Sequence, residues 1–256
     1  FLMERFVTGA ASISGEFVKS GRLQACINPR VSKTSFTPSL RVVSLDIETS
    51  ITTDVVLSIA LYARTEETEV RLVFLVSDGE HSSDNCVIES CRDERTLLLR
   101  MLQWFEEYDP DVVIGWNVVG FDLTFLQTRF DALGVGFSLG RAGEQVRWRS
   151  GGPRSDRRYA LVPGRVVLDG IELLRTATYS FESFSLEFVA QALLGKGKLV
   201  NDVDSRAAEI EDMYANDKIK LAEYNLQDCE LVWDIFDKTD LIDFAVERSR
   251  LTGLDM

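Results

Sequence analysis

Three places in this 256-residue chain put acidic side chains where they could act together. Asp46-Ile47-Glu48 closes the apolar run Val42-Val43-Ser44-Leu45. Residues i and i+2 of a strand point to one side, so both carboxylates emerge together where the strand leaves the core. Two anions a few ångströms apart raise one another's pKa and are costly unless a cation lies between them. Asp122 follows Gly115-Trp116-Asn117-Val118-Val119-Gly120-Phe121 and opens a helical pattern. Its plainer role is a first-turn acid that complements the helix dipole. Tyr224-Asn225-Leu226-Gln227-Asp228 lies inside another helical stretch, where i, i+4 spacing stacks phenol and carboxylate on one face. Any one of these is common by chance in a chain with 41 acids, and a strand that has merely reached the surface would also explain Asp46 and Glu48. Their joint chemistry would be divalent-cation chemistry, because hard carboxylate oxygens suit Mg²⁺ or Mn²⁺ without any imidazole.

Composition narrows the alternatives. The chain has one histidine, His81, which excludes zinc centres built on several His and Ser-His-Asp sites that do not include it. Its four cysteines (Cys26, Cys86, Cys91, Cys229) form no CxxC pair, so neither a disulfide framework nor a zinc ribbon is expected, and a reducing cytoplasm fits best. The longest nearly apolar stretch, residues 55–63, is far short of the roughly 20 residues that span a bilayer, so no membrane association is expected. The first residue is Phe1 and no secretory signal is visible, which reads as a piece of a longer protein. A net charge of −13 argues against a polyanionic ligand when taken alone, yet it suits a site that collects cations.

Elements must then position these groups. Residues 1–40 read as a short β-rich lead-in, punctuated by Gly9, Gly15 and Gly21 and broken by Pro29 and Pro38. Residues 42–45, 55–62 and 70–76 predict an antiparallel meander of three strands. Residues 92–108 place Leu98, Leu102 and Phe105 on one helix face, stopped by Asp109-Pro110. A buried strand at 112–116 and a helix at 122–133, closed by Gly134, come next. Residues 141–164 are rich in Gly and Arg and read as an inserted basic loop or hairpin. A strand at 166–168 and helices at 185–194, 205–214 and 218–238 complete an α/β domain over 41–240, a mixed sheet flanked by helices.

In their order, these groups carry a resemblance. Leu45-Asp46-Ile47-Glu48-Thr49, Asn117 with Phe121-Asp122, and Tyr224-x-x-x-Asp228 resemble the three Exo motifs of the 3′→5′ proofreading exonucleases of ribonuclease H-like fold. Asp109-Pro110-Asp111-Val112-Val113-Ile114-Gly115-Trp116-Asn117 and Tyr224-Asn225-Leu226-Gln227-Asp228-Cys229-Glu230-Leu231-Val232 are similar to family B DNA polymerases. Leu2-Met3-Glu4-Arg5-Phe6, Ser183-Phe184-Ser185-Leu186-Glu187 and Gln191-Ala192-Leu193-Leu194-Gly195 resemble the bacterial polymerase II branch. Neither Ser-Leu-Tyr-Pro-Ser nor Asp-Thr-Asp is present, so residues 241–256 are expected to lead toward a polymerase domain that the chain lacks, and no DNA synthesis is expected.

The resemblance implies a two-metal-ion exonuclease, with ions roughly 3.5–4 Å apart, that releases 5′-mononucleotides from a DNA 3′ end. Asp46 would bridge the ions, Glu48 and Asp228 would complete the water-activating site, and Asp122 would act through the second ion's shell. Tyr224 would orient water; a phenol, ionising near 10, is a poor base at neutral pH. Thr49, Asn117 and Phe121 would meet the terminal nucleotide, and Ser185-Leu186 would bind single-stranded DNA. Plain core packing fits Phe121 and Leu186 equally well. Asp169 would be structural support. The segment between Leu139 and Arg165 has seven arginines against Glu144 and Asp156, and Arg147-Trp148-Arg149 could stack a base and hold phosphate, although a solvated loop explains it as well. The expected partners are single-stranded DNA or a frayed primer 3′ end and the rest of a polymerase chain, for a monomer. A stand-alone nuclease and a single-strand-binding scaffold without catalysis are the rival readings.

Overall fold

In this computed structural model the described residues are 7–21, 23–152, 158–196, 203–254 and 256. Two units separate. Leu40–Thr239 forms one, and Phe1–Ser39 with Asp240–Met256 the other.

In the larger unit, β3 (Val42–Thr49), β4 (Val56–Arg64) and β5 (Glu69–Val76) form the expected antiparallel meander. β7 (Val112–Gly115) adds to β3 in parallel and β10 (Val166–Asp169) to β7, while β6 (Val87–Cys91) extends the other edge in parallel with β5. The sheet order is therefore β10-β7-β3-β4-β5-β6. β6 was not expected from sequence, because only Val87 and Ile88 in it are strongly β-forming.

Alternation along the strands makes two cores. Val43, Leu45 and Ile47 of β3 pack with Leu97, Leu98, Met101 and Phe105 of α1 (Glu94–Tyr108) and with Leu123, Leu126 and Phe130 of α2 (Asp122–Ala132). On the other face, Ala60 and Tyr62 of β4 meet Ala222, Leu226 and Cys229 of α6 (Lys218–Lys238). α6 also receives α4 (Leu186–Leu194) and α5 (Val203–Asn216). Side-chain caps define the helix starts: Asp93 accepts from the Thr96 amide at 2.7 Å, and Asp217 from the Lys220 amide at 3.0 Å. α3 (Gly170–Thr176) was not expected, being too short to show a period; Asp169 caps it, accepting from the amides of Ile171 and Glu172.

The expected basic insertion contains a hairpin, β8 (Arg147–Ser150) with β9 (Arg158–Leu161). Arg154, Asp156 and Arg157 lie outside the described residues, as do Leu2-Met3-Glu4-Arg5-Phe6. In the smaller unit, the lead-in is a long hairpin of β1 (Ala11–Ser20) and β2 (Leu23–Lys33), with its pairing shifted at Gly15. The stretch expected as a connection holds a helix, α7 (Leu241–Thr252), which buries Leu241, Ala245 and Val246. No helix among the described residues is long and apolar enough to cross a membrane.

Candidate active site

β3 and α6 bring the site together. With Val43, Leu45 and Ile47 committed to one core, Ser44, Asp46 and Glu48 point to the face that α6 covers. There Asp46, Glu48 and Asp228 each offer a carboxylate oxygen, and these oxygens all lie within 4.8 Å of one another. Glu48 and Asp228 are buried and Asp46 half-buried. Clustered carboxylates in so little water are the donor set of a hard divalent cation.

α6 is held in register by two buried polar contacts. The Asn225 side-chain amide donates to Ser58 Oγ at 2.7 Å, and the Cys229 thiol donates to the Ala60 carbonyl at 3.4 Å. Ser58 and Ala60 pair across the sheet with Glu48 and Asp46. The same contacts that seat the helix therefore bring Asp228 to the two strand acids. Sequence reading passed over Asn225, whose only signal was a polar residue within an apolar helix stripe. Asn225→Ala should strand the Ser58 hydroxyl in a dry site and lower stability by about 1–3 kcal/mol, read from a denaturant melt. A melt unchanged by the substitution would remove this contact from the account.

Asp122 stands beside the three rather than among them. It is the first residue of α2, only 2% exposed, and its Oδ1 accepts from the Ile47 amide at 3.1 Å, between the two strand acids in sequence. Burial pushes its carboxyl well above the usual carboxylate range. Its own amide and that of Ile47 offset part of this, while Glu48 and Asp169 raise it further. Burial likewise raises Asp169, against the amide bonds it accepts from Glu172, Val119 and Ile171. Tyr224, one turn before Asp228 on α6, is half-buried against Leu57, Leu75 and Ile210.

The turn between β7 and α2 is tight. A side chain at Gly115 would stand 2.7 Å from Val118 and 2.9 Å from the Leu45 carbonyl, so only glycine fits. Asn117 takes left-handed backbone (φ 57), and its carbonyl accepts from the Phe121 amide at 2.8 Å. Phe121 is 45% exposed beside Phe125, so it is not a core residue. Leu186 is buried and packs inside, while Ser185 caps α4 by accepting from the Phe188 amide at 3.3 Å. Thr49 ends β3, and the Ser50 hydroxyl beyond it donates to Glu211 of α5 at 2.6 Å.

The exonuclease domain of DNA polymerase family B matches residues 22–189. This chain belongs to that family. It is 39% identical over 257 aligned positions to Escherichia coli DNA polymerase II, across 99% of this chain and 32% of that protein. It is 26% identical to a DNA polymerase of Pyrococcus glycovorans (84% of this chain, 26% of that protein). It is also 34% identical to the DNA polymerase delta catalytic subunit of Oryza sativa subsp. japonica, over 63% of this chain and 15% of that protein. The chain thus spans about a third of the E. coli relative or less of the others.

Within this family B exonuclease domain the basic segment is less free than its count of arginines suggests. Arg165, 3% exposed in its side chain, donates to Asp109 and to the carbonyls of Pro110, Leu139 and Phe105. Arg141 bonds Asp109, Asp111 and the Gly164 carbonyl. Arg147 pairs with Glu144 at 2.7 Å, and Arg149 stands over the Tyr159 ring. The half-buried Trp148 indole donates to Gln127 at 2.9 Å, and the Arg158 guanidinium lies over its ring. Two of the arginines are therefore structural, and Trp148 is already engaged. The single histidine, His81, bonds Ser77 at 2.8 Å.

Proposed function

We propose that the chain is the proofreading module of a longer family B polymerase, a 3′→5′ exonuclease that removes 5′-mononucleotides from an unpaired DNA end. The observation that carries this reading is the convergence of Asp46, Glu48 and Asp228 in a chain of this family. A scaffold that only held single strands would have no use for three carboxylates brought so close.

The carboxylate group suits a hard divalent cation, and in this reading Asp46, Glu48 and Asp228, with Asp122 alongside, would hold two Mg²⁺ or Mn²⁺ ions. When bound, such ions supply an activated water and relieve charge on the departing 3′ oxygen. The rest falls to side chains of the protein. A water oxygen bonds to phosphorus as the bond from phosphorus to the 3′ oxygen breaks. Tyr224 orients that water through its hydroxyl. Thr49 and Asn117 bond the terminal nucleotide, and the exposed Phe121 ring packs against its base or sugar. Ser185 and, through its packing, Leu186 shape the path of the strand behind it. Among the described residues of the hairpin, Arg147 and Arg149 would meet phosphate, and Trp148 would add to the grip only through its exposed edge.

A 5′-labelled single strand incubated with the chain and Mn²⁺ should shorten stepwise from its 3′ end, faster than a paired end. Shortening that persists in excess chelator would overturn the reading. A second measurement needs no turnover. Cation binding at ten times Kd should stabilise the fold by about 1.4 kcal/mol, a melting-temperature rise on the order of 3–6 °C. Asp228→Asn should shrink that rise, and a melting temperature indifferent to saturating Mn²⁺ would count against a shared cation site.

A further inference from the structure

Between α3 and α4 runs a segment that the proposed chemistry does not use. Two residues beyond α3, Thr178 is a β-branched residue in left-handed backbone (φ 66), and the Tyr179 amide returns to the Leu174 carbonyl at 3.0 Å. That conformation is costly for threonine, and such strain gathers at functional sites. Immediately after it, three aromatic rings form a ladder. Tyr179 and Phe181 are nearly parallel (7°) with centroids 6.1 Å apart, and Phe181 meets Phe184 edge-on at 5.4 Å. The Arg175 guanidinium lies 4.6 Å from the Phe184 ring centre. Tyr179 is 37% exposed, and Phe181 and Phe184 are half-buried, so the rings are neither core nor fully solvated.

The ladder is tied to the site. The Trp116 indole donates to the Phe184 carbonyl at 2.9 Å, and Trp116 opens the turn that delivers Asn117, Phe121 and Asp122. Asp169, which starts α3, pairs with Gly115 across the sheet. We propose that Tyr179, Phe181 and Phe184, with Arg175 at their end, are a stacking platform for unpaired bases upstream of the terminal nucleotide. This rests on the exonuclease reading above for its choice of ligand. Exposed aromatics beside a single-strand path stack any base, since every base has a π-face. Glu172, Glu182 and Glu187 lie on the same stretch, so the hold comes from stacking rather than from phosphate.

The test is the ratio of affinities for labelled oligothymidylates of about six and about two nucleotides, measured by anisotropy in Ca²⁺. One stacked base should favour the longer strand by roughly 5- to 150-fold, with little loss as salt is raised. Tyr179→Ala with Phe181→Ala should collapse the ratio, and Tyr179→Phe alone should keep it. An unchanged ratio in the double variant, or one abolished by salt in the unaltered chain, overturns the platform. Photo-crosslinking of a 5-iodouracil strand to the unaltered chain needs no variant to fold: adducts on the ladder support it, and adducts confined elsewhere refute it. A chain that degrades strands without a length ratio loses the platform but keeps the exonuclease. A chain with the ratio but no Mn²⁺-dependent release does the reverse.

Discussion

Alanine at both Asp46 and Glu48 should leave a folded chain that releases mononucleotides at least about a thousandfold more slowly. Electrostatic stabilisation by bound cations contributes several kcal/mol to phosphoryl chemistry, and each 1.36 kcal/mol is a factor of ten in rate. Removing two of three converged carboxylates takes away the ligand set itself. The fold should survive, because the β3 residues that build the core are Val43, Leu45 and Ile47. Asp122→Asn makes a useful companion. Its amide oxygen can still accept from the Ile47 amide, while the buried charge is gone. Burial raises the Asp122 carboxyl, so its folded pKa exceeds its unfolded one. The stability it contributes is present below the unfolded value near 4 and is lost as pH rises through the folded value. The metal-free asparagine variant should therefore be the more stable at neutral pH, while its nuclease rate falls. Rates measured beside thermal melts separate the two effects. A double alanine variant with full activity would place the chemistry elsewhere in the chain.

Arg165→Ala should be among the most destabilising single changes in the larger unit, at about 3–5 kcal/mol. For a chain of this length that lowers the melting temperature by roughly 6–20 °C. The guanidinium is almost wholly buried and joins three carbonyls from separate segments to one carboxylate. One of them, Phe105, lies in the last turn of α1, where a cation also complements the helix dipole. Lysine should not rescue the loss, since its ammonium lacks the planar fork that reaches several acceptors at once. The same network predicts acid sensitivity. The bond from Arg141 holds the Asp109 carboxyl below the usual carboxylate range. For Asp111 burial acts upward, but Arg141 and the Arg41 amide outweigh it. Both acids thus stabilise the fold above their unfolded value near 4, and that contribution is lost as pH falls through the lower folded values. Acid unfolding should start at higher pH in Arg141→Ala. A variant at Arg165 that melts with the unaltered chain would show that the carbonyls find other partners.

Much of the candidate site was legible in the linear sequence, because its side chains carry signatures local to one element. Asp46 and Glu48 share a strand face by simple alternation, and Tyr224 and Asp228 share a helix face by the i, i+4 rule. Both relations hold within a single element, so the chain alone carries them. The meander, α1, α2 and α6 were readable for the same reason, since each is long enough to show its hydrophobic period. β6 and α3 were not: β6 has only Val87 and Ile88 as strongly β-forming residues, unlike the equally short but apolar β7 and β10, and the seven residues of α3 are too few to show a helical period. The exposure of Phe121 and the burial of Leu186 were open alternatives that no local pattern could separate.

What the sequence determined alone was therefore the inventory: which acids, on which elements, beside which turns. Tertiary structure decided how they combine. Asp228 meets Asp46 and Glu48 across 180 residues of chain or more because Asn225 and Cys229 seat α6 on Ser58 and Ala60, a register set by burial and not by spacing. The arginine-rich segment shows the opposite outcome. Its count of charges suggested a cationic grip, yet Arg141 and Arg165 turn inward to Asp109, Asp111 and backbone carbonyls. A guanidinium serves either a solvent-facing phosphate or a buried carboxylate. Which it serves depends on what lies across the fold, and a list of residues does not contain that distance.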